Sequence, residues 1–306
     1  MRLAELAAPS YTVRRTTRHR PPAGKRAAFD TVVIGELGAN TNWSSALDEV
    51  SIVFHLAART HVLTDTAPDA CAEYRRINVE GTRSLAYAAA RAGVRRMVFL
   101  SSIKATGERT NYAPFTENTL PQPEDAYGVS KWEAEQALCA IARDAGLETV
   151  ILRPPLIYGP GVKGNFLRLM RWVDRSLPIP FASVANRRSL IYVGNLVDAL
   201  VTAGASPHAA NKTFLVSDSE DVSTPILFQS IATAMHKRPR LLPCPPALLR
   251  TIGAALGKRE EMQRITDSLQ IDSSRIRDEL GWRQRFTLAE GLARTSQWYD
   301  AQRHGR

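Results

Sequence analysis

A tyrosine and a lysine stand four residues apart in the stretch AYGVSK, where Tyr127 precedes Lys131. On a helix this spacing places both side chains on one face, with an axial offset of about 6 Å. An ammonium group beside a phenol favours the phenolate, which lowers a tyrosine pKa from about 10 toward neutrality. The pair therefore predicts a tyrosine that acts as a general acid and base, although the same spacing also arises by chance on solvated helices.

Two serines precede this tyrosine, at the end of the predicted strand RRMVFLSS (95–102). The carboxyl ends of parallel strands are where α/β sheets place their sites. A hydroxyl group there can hydrogen-bond the same substrate oxygen whose proton Tyr127 transfers. We expect Ser102 to fill this role, and Ser101 is the competing candidate.

Short apolar strands alternate with helices through the first half of the chain. The predicted strands are TVVIGEL (31–37), SIVFHLAA (51–58), RRMVFLSS (95–102) and TVILRPP (149–155), and the predicted helices are VEGTRSLAYAAARAGV (79–94) and KWEAEQALCAIARDAGL (131–147). This alternation favours a doubly wound parallel sheet. The strands lack strict apolar alternation, as expected when helices cover both faces.

After Gly159 the predicted elements change, because helices dominate the rest of the chain. This pattern indicates a smaller, mostly helical C-terminal lobe. The segment 187–218 is the exception, since it reads as further α/β elements that we expect to return to the sheet.

The net charge of +10 is what we expect of a protein from an arginine-rich proteome that binds one anionic substrate. Basic residues are dense at the start, which leaves polyanion binding and an Arg-rich transit peptide open. No nucleic-acid-binding motif accompanies the charge, so we expect an anionic substrate and no nucleic acid. The three cysteines are far apart and the six histidines lack ligand spacing, which predicts no metal site and favours a reducing cytoplasm.

No apolar run reaches the 18 or so residues of a membrane span. The nearest is LLPCPPALLRTIGAALG (241–257), which three prolines and Arg250 interrupt. We interpret it as a turn followed by a short amphipathic helix. Contact with a membrane surface stays open for this segment.

Several stretches together resemble one family. They are SS–(24)–YGVSK, HLAA (55–58), INVEGT (77–82), RPPLIYGPG (153–161), RRSLIYV–GNLVDAL (187–200) and DSSRIRDELGW (272–282). Their order and spacing resemble the extended short-chain dehydrogenase/reductase family of NAD-dependent epimerases and dehydratases, over essentially the whole chain. UDP-sugar 4-epimerases and bacterial surface-polysaccharide UDP-N-acetyl-sugar 4-oxidoreductases are the members it resembles most.

The resemblance implies a Rossmann-type α/β fold with a dinucleotide-binding domain at 1–160 and a substrate-binding lobe at 161–306. It implies Ser102, Tyr127 and Lys131 as the catalytic residues. The positions that it assigns to NAD are Glu36, Leu37, His55, Ala57, Ala58, Asn78, Tyr127, Lys131 and Pro154. The positions that it assigns to the UDP-sugar are Ser102, Asn165, Arg188 and Arg264.

Two of these assignments carry a physical argument of their own. A guanidinium group such as that of Arg188 suits the oxygens of a diphosphate. Asn78 has an equally good alternative role, a local hydrogen bond to the backbone.

The chain departs from the dehydratases of this family. Those enzymes carry an Asp-Glu pair directly after the catalytic hydroxyl residue, and here Ile103 and Lys104 stand in those places. Without the two carboxylates an elimination lacks its acid and base, so dehydration is disfavoured.

The glycine-rich turn that normally holds the cofactor's pyrophosphate is not found near the start. YTVRRTTR (11–18) resembles the family's second strand, and MRLAELAAPS (1–10) resembles only the end of its first helix. We expect that the chain starts after the first strand and its turn, through a late start site or a damaged gene, and that it binds NAD poorly as given. The alternative is that GELGAN (35–40) serves as a degenerate cradle, with Thr41 in place of the third glycine.

The function expected from the resemblance is NAD-dependent epimerisation at C4 of a UDP-hexose or UDP-N-acetylhexosamine, through a 4-keto intermediate, in the cytoplasm. A one-way UDP-sugar 4-dehydrogenase or 4-keto reductase uses the same residues and stays open. A non-catalytic nucleotide-binding protein on the same scaffold is the alternative from another class. A homodimer also stays open.

Overall fold

The computed structural model describes residues 11–20, 29–60 and 69–304. The helix end expected within MRLAELAAPS (1–10) lies outside these residues.

The strands are β1 (Arg14–Thr17), β2 (Asp30–Val33), β3 (Ile52–His55), β4 (Arg96–Leu100), β5 (Glu148–Arg153), β6 (Leu156–Tyr158), β7 (Pro178–Ile179), β8 (Leu190–Tyr192), β9 (Lys212–Leu215) and β10 (Arg240–Leu241). The α-helices are α1 (Ser44–Leu47), α2 (Ala70–Tyr74), α3 (Gly81–Arg91), α4 (Ala126–Ala145), α5 (Gly164–Asp174), α6 (Val193–Ala205), α7 (Thr224–Ala234), α8 (Pro246–Ala255), α9 (Arg259–Thr266), α10 (Ser274–Leu280) and α11 (Leu288–His304). A π-helical turn, Arg75–Glu80, joins α2 to α3.

The main sheet contains four parallel strands in the order β3-β4-β5-β9. Its central strands β4 and β5 are buried almost throughout, because helices pack on both faces. The predicted α/β fold with a parallel sheet is therefore confirmed. The strand β9 comes from the segment 187–218 and pairs with β5.

Two apolar clusters cover the two faces of this sheet. One lies between the sheet and the helices α3 and α4, and it includes Leu85, Leu138 and Ile151. The other lies on the α6 side and includes Val150, Leu200 and Phe214. Strands β1 and β2 form a separate parallel pair.

The C-terminal lobe has an apolar core of its own, built from Phe166, Phe181 and Phe228 among others. The short parallel pair β7–β10 belongs to this part of the chain, and a second pair joins β6, just before it, to β8. None of the described helices combines the length and the apolar character needed to cross a membrane.

Candidate active site

The helix α4 begins five residues earlier than the sequence pattern predicted, at Ala126 instead of Lys131. The reason is a cap, since the side chain of Asp125 accepts a hydrogen bond of 2.7 Å from the backbone N–H of Gly128. Tyr127 is therefore the second residue of the helix, with Lys131 one turn further along.

The glycine after Tyr127 lets the start of α4 approach the loop that follows β4. A Cβ atom on Gly128 would lie 2.5 Å from the carbonyl oxygen of Lys104, closer than real Cβ contacts. Only glycine permits this approach of helix and loop. The close contact brings the end of β4 against the first turn of α4.

Ser102 and Tyr127 meet at this contact through a side-chain hydrogen bond. The Ser102 Oγ also accepts from the backbone N–H of Lys104 at 3.2 Å, so its own proton is available for the phenol oxygen. The hydroxyl oxygen of Ser101 is buried and finds no hydrogen-bond partner among the described residues. The structure thus places Ser102, and not Ser101, on the tyrosine.

Burial raises the pKa of Tyr127 to about 12, and the charges of Asp125 and Tyr74 also raise it. The hydrogen bond from Ser102 acts in the opposite direction and lowers the pKa. The predicted lowering of the Tyr127 pKa by Lys131 is wrong for this structure, because burial disfavours the charged phenolate more than its neighbours stabilise it.

The ammonium group of Lys131 turns into the sheet. Its Nζ donates to the carbonyl oxygen of Leu100 at 2.7 Å and lies 4.1 Å from the ring centre of Phe99. The side chain is fully buried, and burial lowers its pKa to about 7, although the carboxylate of Glu135 raises it. Lys131 is therefore a buried amine poised to titrate near neutral pH.

His55, at the end of β3, is a neutral side chain in the same cluster. Its ring stacks on Phe99, and its Nε2 lies 3.0 Å from the hydroxyl oxygen of Thr82. That hydroxyl gives its one proton to the carbonyl oxygen of Asn78 at 2.6 Å, so the histidine nitrogen is the donor and carries the proton. Burial and the charge of Lys131 lower the pKa of His55 to about 3.

The low pKa of His55 predicts a loss of stability in acid. Between pH 6.5 and about 3 the unfolded chain binds a proton that the folded protein does not, so the free energy of unfolding decreases as the pH falls. Replacing His55 by glutamine removes this proton and should flatten the pH dependence by up to about 1.4 kcal/mol per pH unit. Urea unfolding at several pH values measures both slopes, and parallel slopes for parent and variant would contradict the assignment.

Asn78 lies in the π-helical turn. Its side chain bonds to residues distant in the chain, and the local backbone bond that the sequence left open is not among its bonds to the described residues. Its Oδ1 accepts from the N–H of Arg59 at 2.7 Å, and its Nδ2 donates to the Arg59 carbonyl and to the Ser130 hydroxyl. One amide thus ties the loop after β3 to the helix α4. Its assignment to the cofactor stays a prediction.

The end of β3 offers a surface for a planar ligand. Ala57 is exposed and Ala58 partly exposed directly after the buried His55, so small side chains line the carboxyl edge of the sheet. The assignment of Ala57, Ala58, Tyr127 and Lys131 to the nicotinamide and ribose half of NAD stays a prediction. Glu36, after β2, is exposed and pairs with Arg18 at 3.3 Å.

Two other positions assigned to NAD are buried in packing contacts. Leu37 fills the space against Gly81, where a Cβ atom would come within 2.6 Å of it. Pro154 is buried, and its carbonyl oxygen accepts from the N–H of Ile103 at 2.9 Å. Both side chains support the edge of the sheet, and their contact with the cofactor stays a prediction.

The turn GELGAN holds the backbone amide of Gly38 in an internal hydrogen bond. The N–H of Gly38 donates to the hydroxyl of Thr41 at 2.9 Å, and that hydroxyl contacts the carbonyl oxygens of Glu36 and Gly38. The helix that follows, Ser44–Leu47, is a single turn. A phosphate cradle needs open backbone amides before a longer helix, so these contacts disfavour the alternative that this turn is one.

Arg188 and Arg264 come together from two elements of the C-terminal lobe. Arg188 donates to the carbonyl oxygen of Asp267 at 2.9 Å, and Arg264 lies 3.5 Å from the carboxylate of Glu108. Burial lowers the pKa of Arg188 to about 10, while the carboxylates of Asp267 and Glu108 raise it. Arg188 is therefore cationic at neutral pH.

Asn165 is exposed in the first turn of α5, where the Lys163 side chain makes no capping bond. The amides at such a helix start attract anions. Within the described residues, no group of three or more His, Cys, Asp or Glu side chains is placed to hold a metal ion.

The profile of the NAD dependent epimerase/dehydratase family matches residues 2–217. The chain is also 42% identical over 289 residues to a UDP-glucose 4-epimerase of Vibrio cholerae, covering 94% of this chain and 87% of the relative. The chain belongs to this epimerase/dehydratase family.

Two other similarities widen the comparison. An N-acetyl-alpha-D-glucosaminyl-diphospho-ditrans,octacis-undecaprenol 4-epimerase of Escherichia coli O157:H7 is 26% identical, over 87% of this chain and 82% of that one. The solved structure of MoeE5 in complex with UDP-glucose and NAD superposes with a TM-score of 0.78 at 27% identity, covering 98% of this chain and 95% of that one.

The sequence pattern does not reveal the charged groups around Ser102 and Tyr127. Lys104 binds both Glu108 and Asp125, whereas the sequence alone shows only that it stands in place of a dehydratase carboxylate. The signal that was present is Asp125 before AYG, since aspartate is a preferred helix N-cap.

Proposed function

We propose that the protein catalyses NAD-dependent epimerisation at C4 of a UDP-hexose or UDP-N-acetylhexosamine through a 4-keto intermediate. The observation that carries the proposal is the hydrogen bond between Ser102 and Tyr127 at the carboxyl edge of the sheet, with Lys131 one helical turn further. The names of the Vibrio cholerae relative and of the MoeE5 complex support the choice of substrate class.

Bound NAD supplies a hydride acceptor that can also return the hydride. Tyr127 takes the proton of the sugar 4-hydroxyl, and the Ser102 hydroxyl donates to the same sugar oxygen. A phenol whose pKa is about 12 releases its proton at neutral pH only when positive charge stabilises the phenolate. The amine of Lys131, one turn along the same helix, is the group that we assign to this task.

The residues after Ser102 favour epimerisation over dehydration. The two positions that hold an Asp-Glu pair in dehydratases are Ile103 and Lys104 here. Ile103 is buried, and the ammonium group of Lys104 binds Glu108 and Asp125. The nearby carboxylates are therefore neutralised in ion pairs instead of being held as an acid and a base for elimination.

The proposal is tested by incubating the protein with NAD and either UDP-glucose or UDP-N-acetylglucosamine. We expect one of the two to be converted to its C4 epimer without accumulation of reduced cofactor. The same mixture of epimers should form when the reaction starts from that C4 epimer. Stoichiometric reduction of NAD would instead indicate the one-way dehydrogenase. Bound NAD without any conversion would indicate the non-catalytic nucleotide-binding protein.

Arg188 is expected to bind the diphosphate of the substrate. Replacing it by alanine should weaken UDP binding by about 1.5–3 kcal/mol, the range for a hydrogen bond to a charged group. Isothermal titration with UDP measures the loss. The neighbouring Arg187, which is exposed, supplies the matched control, and equal losses for the two alanine variants would refute the assignment.

A further inference from the structure

A group of large apolar side chains is exposed on one segment of the C-terminal lobe. Leu242, Leu248, Ile252 and Leu256 are between 44% and 67% exposed. Three of them recur every fourth residue on and just after α8, so they form a continuous stripe on that helix. The helix contacts the lobe through Leu249 and Gly253, its two buried positions.

The same segment is strongly basic. Residues 237–259 contain six lysine and arginine side chains and no aspartate or glutamate. Lys237 and Arg250 form ion pairs with Asp174 and Asp267. The exposed cations Arg240, Lys258 and Arg259 lie before and after the stripe in the chain.

An exposed apolar stripe between cations matches the chemistry of an anionic lipid surface. Apolar side chains enter the boundary between headgroups and acyl chains, while lysine and arginine contact the phosphates. The two carboxylates that follow the segment, Glu260 and Glu261, lie within ion-pair distance of Arg264 and Arg168. Contact between two copies of this face would therefore bring the cations of the segment against each other, which disfavours self-association. The net charge of +10 also attracts the whole protein to an anionic surface.

We propose that residues 237–259, the basic apolar segment, dock on the surface of an anionic lipid bilayer. The contact is peripheral, with α8 lying in the plane of the interface. The helix α8 packs closely on α9, since a Cβ atom on Gly253 would lie 2.8 Å from the Cβ atom of Met262. Because α9 carries Arg264, docking holds the candidate substrate site next to the membrane.

The test is co-sedimentation of the full chain with vesicles of phosphatidylcholine alone or mixed with phosphatidylglycerol. We expect binding to the mixed vesicles only, decreasing with salt. Exchanging Leu248, Ile252 and Leu256 together for glutamine should weaken it by more than about tenfold, the loss expected from even one fully buried leucine. Exchanging Leu120, which is 79% exposed elsewhere, for glutamine is the matched control and should change nothing.

Three results would overturn the proposal. The parent protein fails to bind the mixed vesicles, or the triple variant binds them as well as the parent does. The third is a change of oligomeric state in the triple variant, measured by analytical ultracentrifugation, which would make this face a contact between copies. Circular dichroism of the triple variant checks that its fold is retained.

A separate observation concerns Lys104, two residues after Ser102. Its Nζ lies 2.5 Å from Oδ2 of Asp125 and 2.8 Å from Oε1 of Glu108, and the side chain is only 16% exposed. The other oxygen of Asp125 caps the helix at Gly128. The carboxylate of Asp125 therefore connects the loop that contains Ser102 and Lys104 to the first turn of α4.

Glu108 extends these contacts toward the arginines of the C-terminal lobe. Its second oxygen lies 3.5 Å from Nε of Arg264, and its charge also acts on Arg188. Lys104 is thus the cation between the carboxylate that caps α4 and the carboxylate that faces the proposed diphosphate site.

We infer that Lys104 is a positioning residue, which holds the Tyr127 hydroxyl against Ser102 by fixing the cap of α4. This inference rests on the proposed function. The groups that face Tyr127 are Ser102, Tyr74 and Asp125, with Lys131 on the same helix bound to Leu100. Without the ammonium of Lys104, the charge of Asp125 loses a cation that opposes it, which raises the pKa of the phenol further.

The variants Lys104→Met and Lys104→Arg test this role. The methionine variant should lose roughly tenfold to a hundredfold in kcat, as expected for a displaced catalytic group, with little change in KM, and the arginine variant should recover most of it. The limb on which the rate rises with pH should move to higher pH in Lys104→Met, because Tyr127 acts as the base only when it is ionised. A rise in KM alone would make Lys104 a substrate contact and refute the inference.

A second readout does not require activity. Phenolate absorbance during an alkaline titration, taken as the difference from Tyr127→Phe in the same background, reports the pKa of Tyr127. It should rise in Lys104→Met, and an unchanged value would refute the inference. An inactive parent protein would contradict the proposed function and leave this measurement as the test of Lys104.

Discussion

Replacing Tyr127 by phenylalanine is expected to reduce turnover by roughly 10²–10⁴-fold, the range for removal of a general acid and base. The substitution keeps the ring, which packs edge-on against Tyr74, and removes only the hydroxyl that Ser102 contacts. Affinity for UDP should stay within about twofold, because the phenol acts on the reacting oxygen and contributes little to binding of the nucleotide. Initial rates of epimer formation and UDP titration measure the two effects.

The matched control is Tyr87→Phe, since Tyr87 is 48% exposed on α3. It removes a hydroxyl from a tyrosine outside the site and should leave turnover unchanged. Turnover of Tyr127→Phe equal to that of the control would remove Tyr127 from the chemistry.

The second large effect concerns the ion pair beneath the catalytic helix. The guanidinium of Arg153 contacts both carboxylate oxygens of Glu135 at 3.0 and 2.5 Å, and the two side chains are 5% and 1% exposed. Replacing Glu135 by leucine leaves a buried, uncompensated cation, which should lower the free energy of unfolding by about 3–5 kcal/mol. Urea unfolding followed by circular dichroism measures this loss.

The same helix offers a control for this prediction. Glu133 is also bound by two nitrogens of an arginine, Arg75, but the side chains are 34% and 56% exposed. Because water screens an exposed pair, Glu133→Leu should have a much smaller effect. Equal losses for the two variants would show that the burial of the Glu135 pair does not determine its contribution.

The parallel sheet and the residues on its edge could be predicted from the sequence. Runs such as RRMVFLSS and TVILRPP are apolar at consecutive positions, which is the signature of strands covered on both faces, and they are found as β4 and β5. Ser102 follows a predicted strand, and Tyr127 and Lys131 lie at the start of the next predicted helix. This order predicts that all three lie at the carboxyl edge of the sheet.

The electrostatics of this site could not be predicted in the same way. The four-residue spacing of Tyr127 and Lys131 gives a shared helical face, but it does not show that the face is buried. Burial turns the amine toward the carbonyl oxygen of Leu100 and raises the pKa of the phenol. The tautomer of His55 likewise depends on Thr82, which is 27 residues away in the chain.

The contacts of Lys104 show the same limit. Its partner Asp125 is 21 residues away, and the pairing depends on how closely the loop and the helix approach at Gly128. Such an approach is set by packing between elements, which the pattern of one segment does not encode.

The fate of the hydrogen at C4 tests the proposed epimerisation most directly. The parent protein is incubated with NAD and a UDP-sugar that carries deuterium at C4, and both epimers are analysed by mass spectrometry and NMR. We predict that each C4 epimer retains the deuterium at C4, because the hydride leaves and returns within one site. Loss of the deuterium to water, or its transfer in stoichiometric amount to released cofactor, would contradict it.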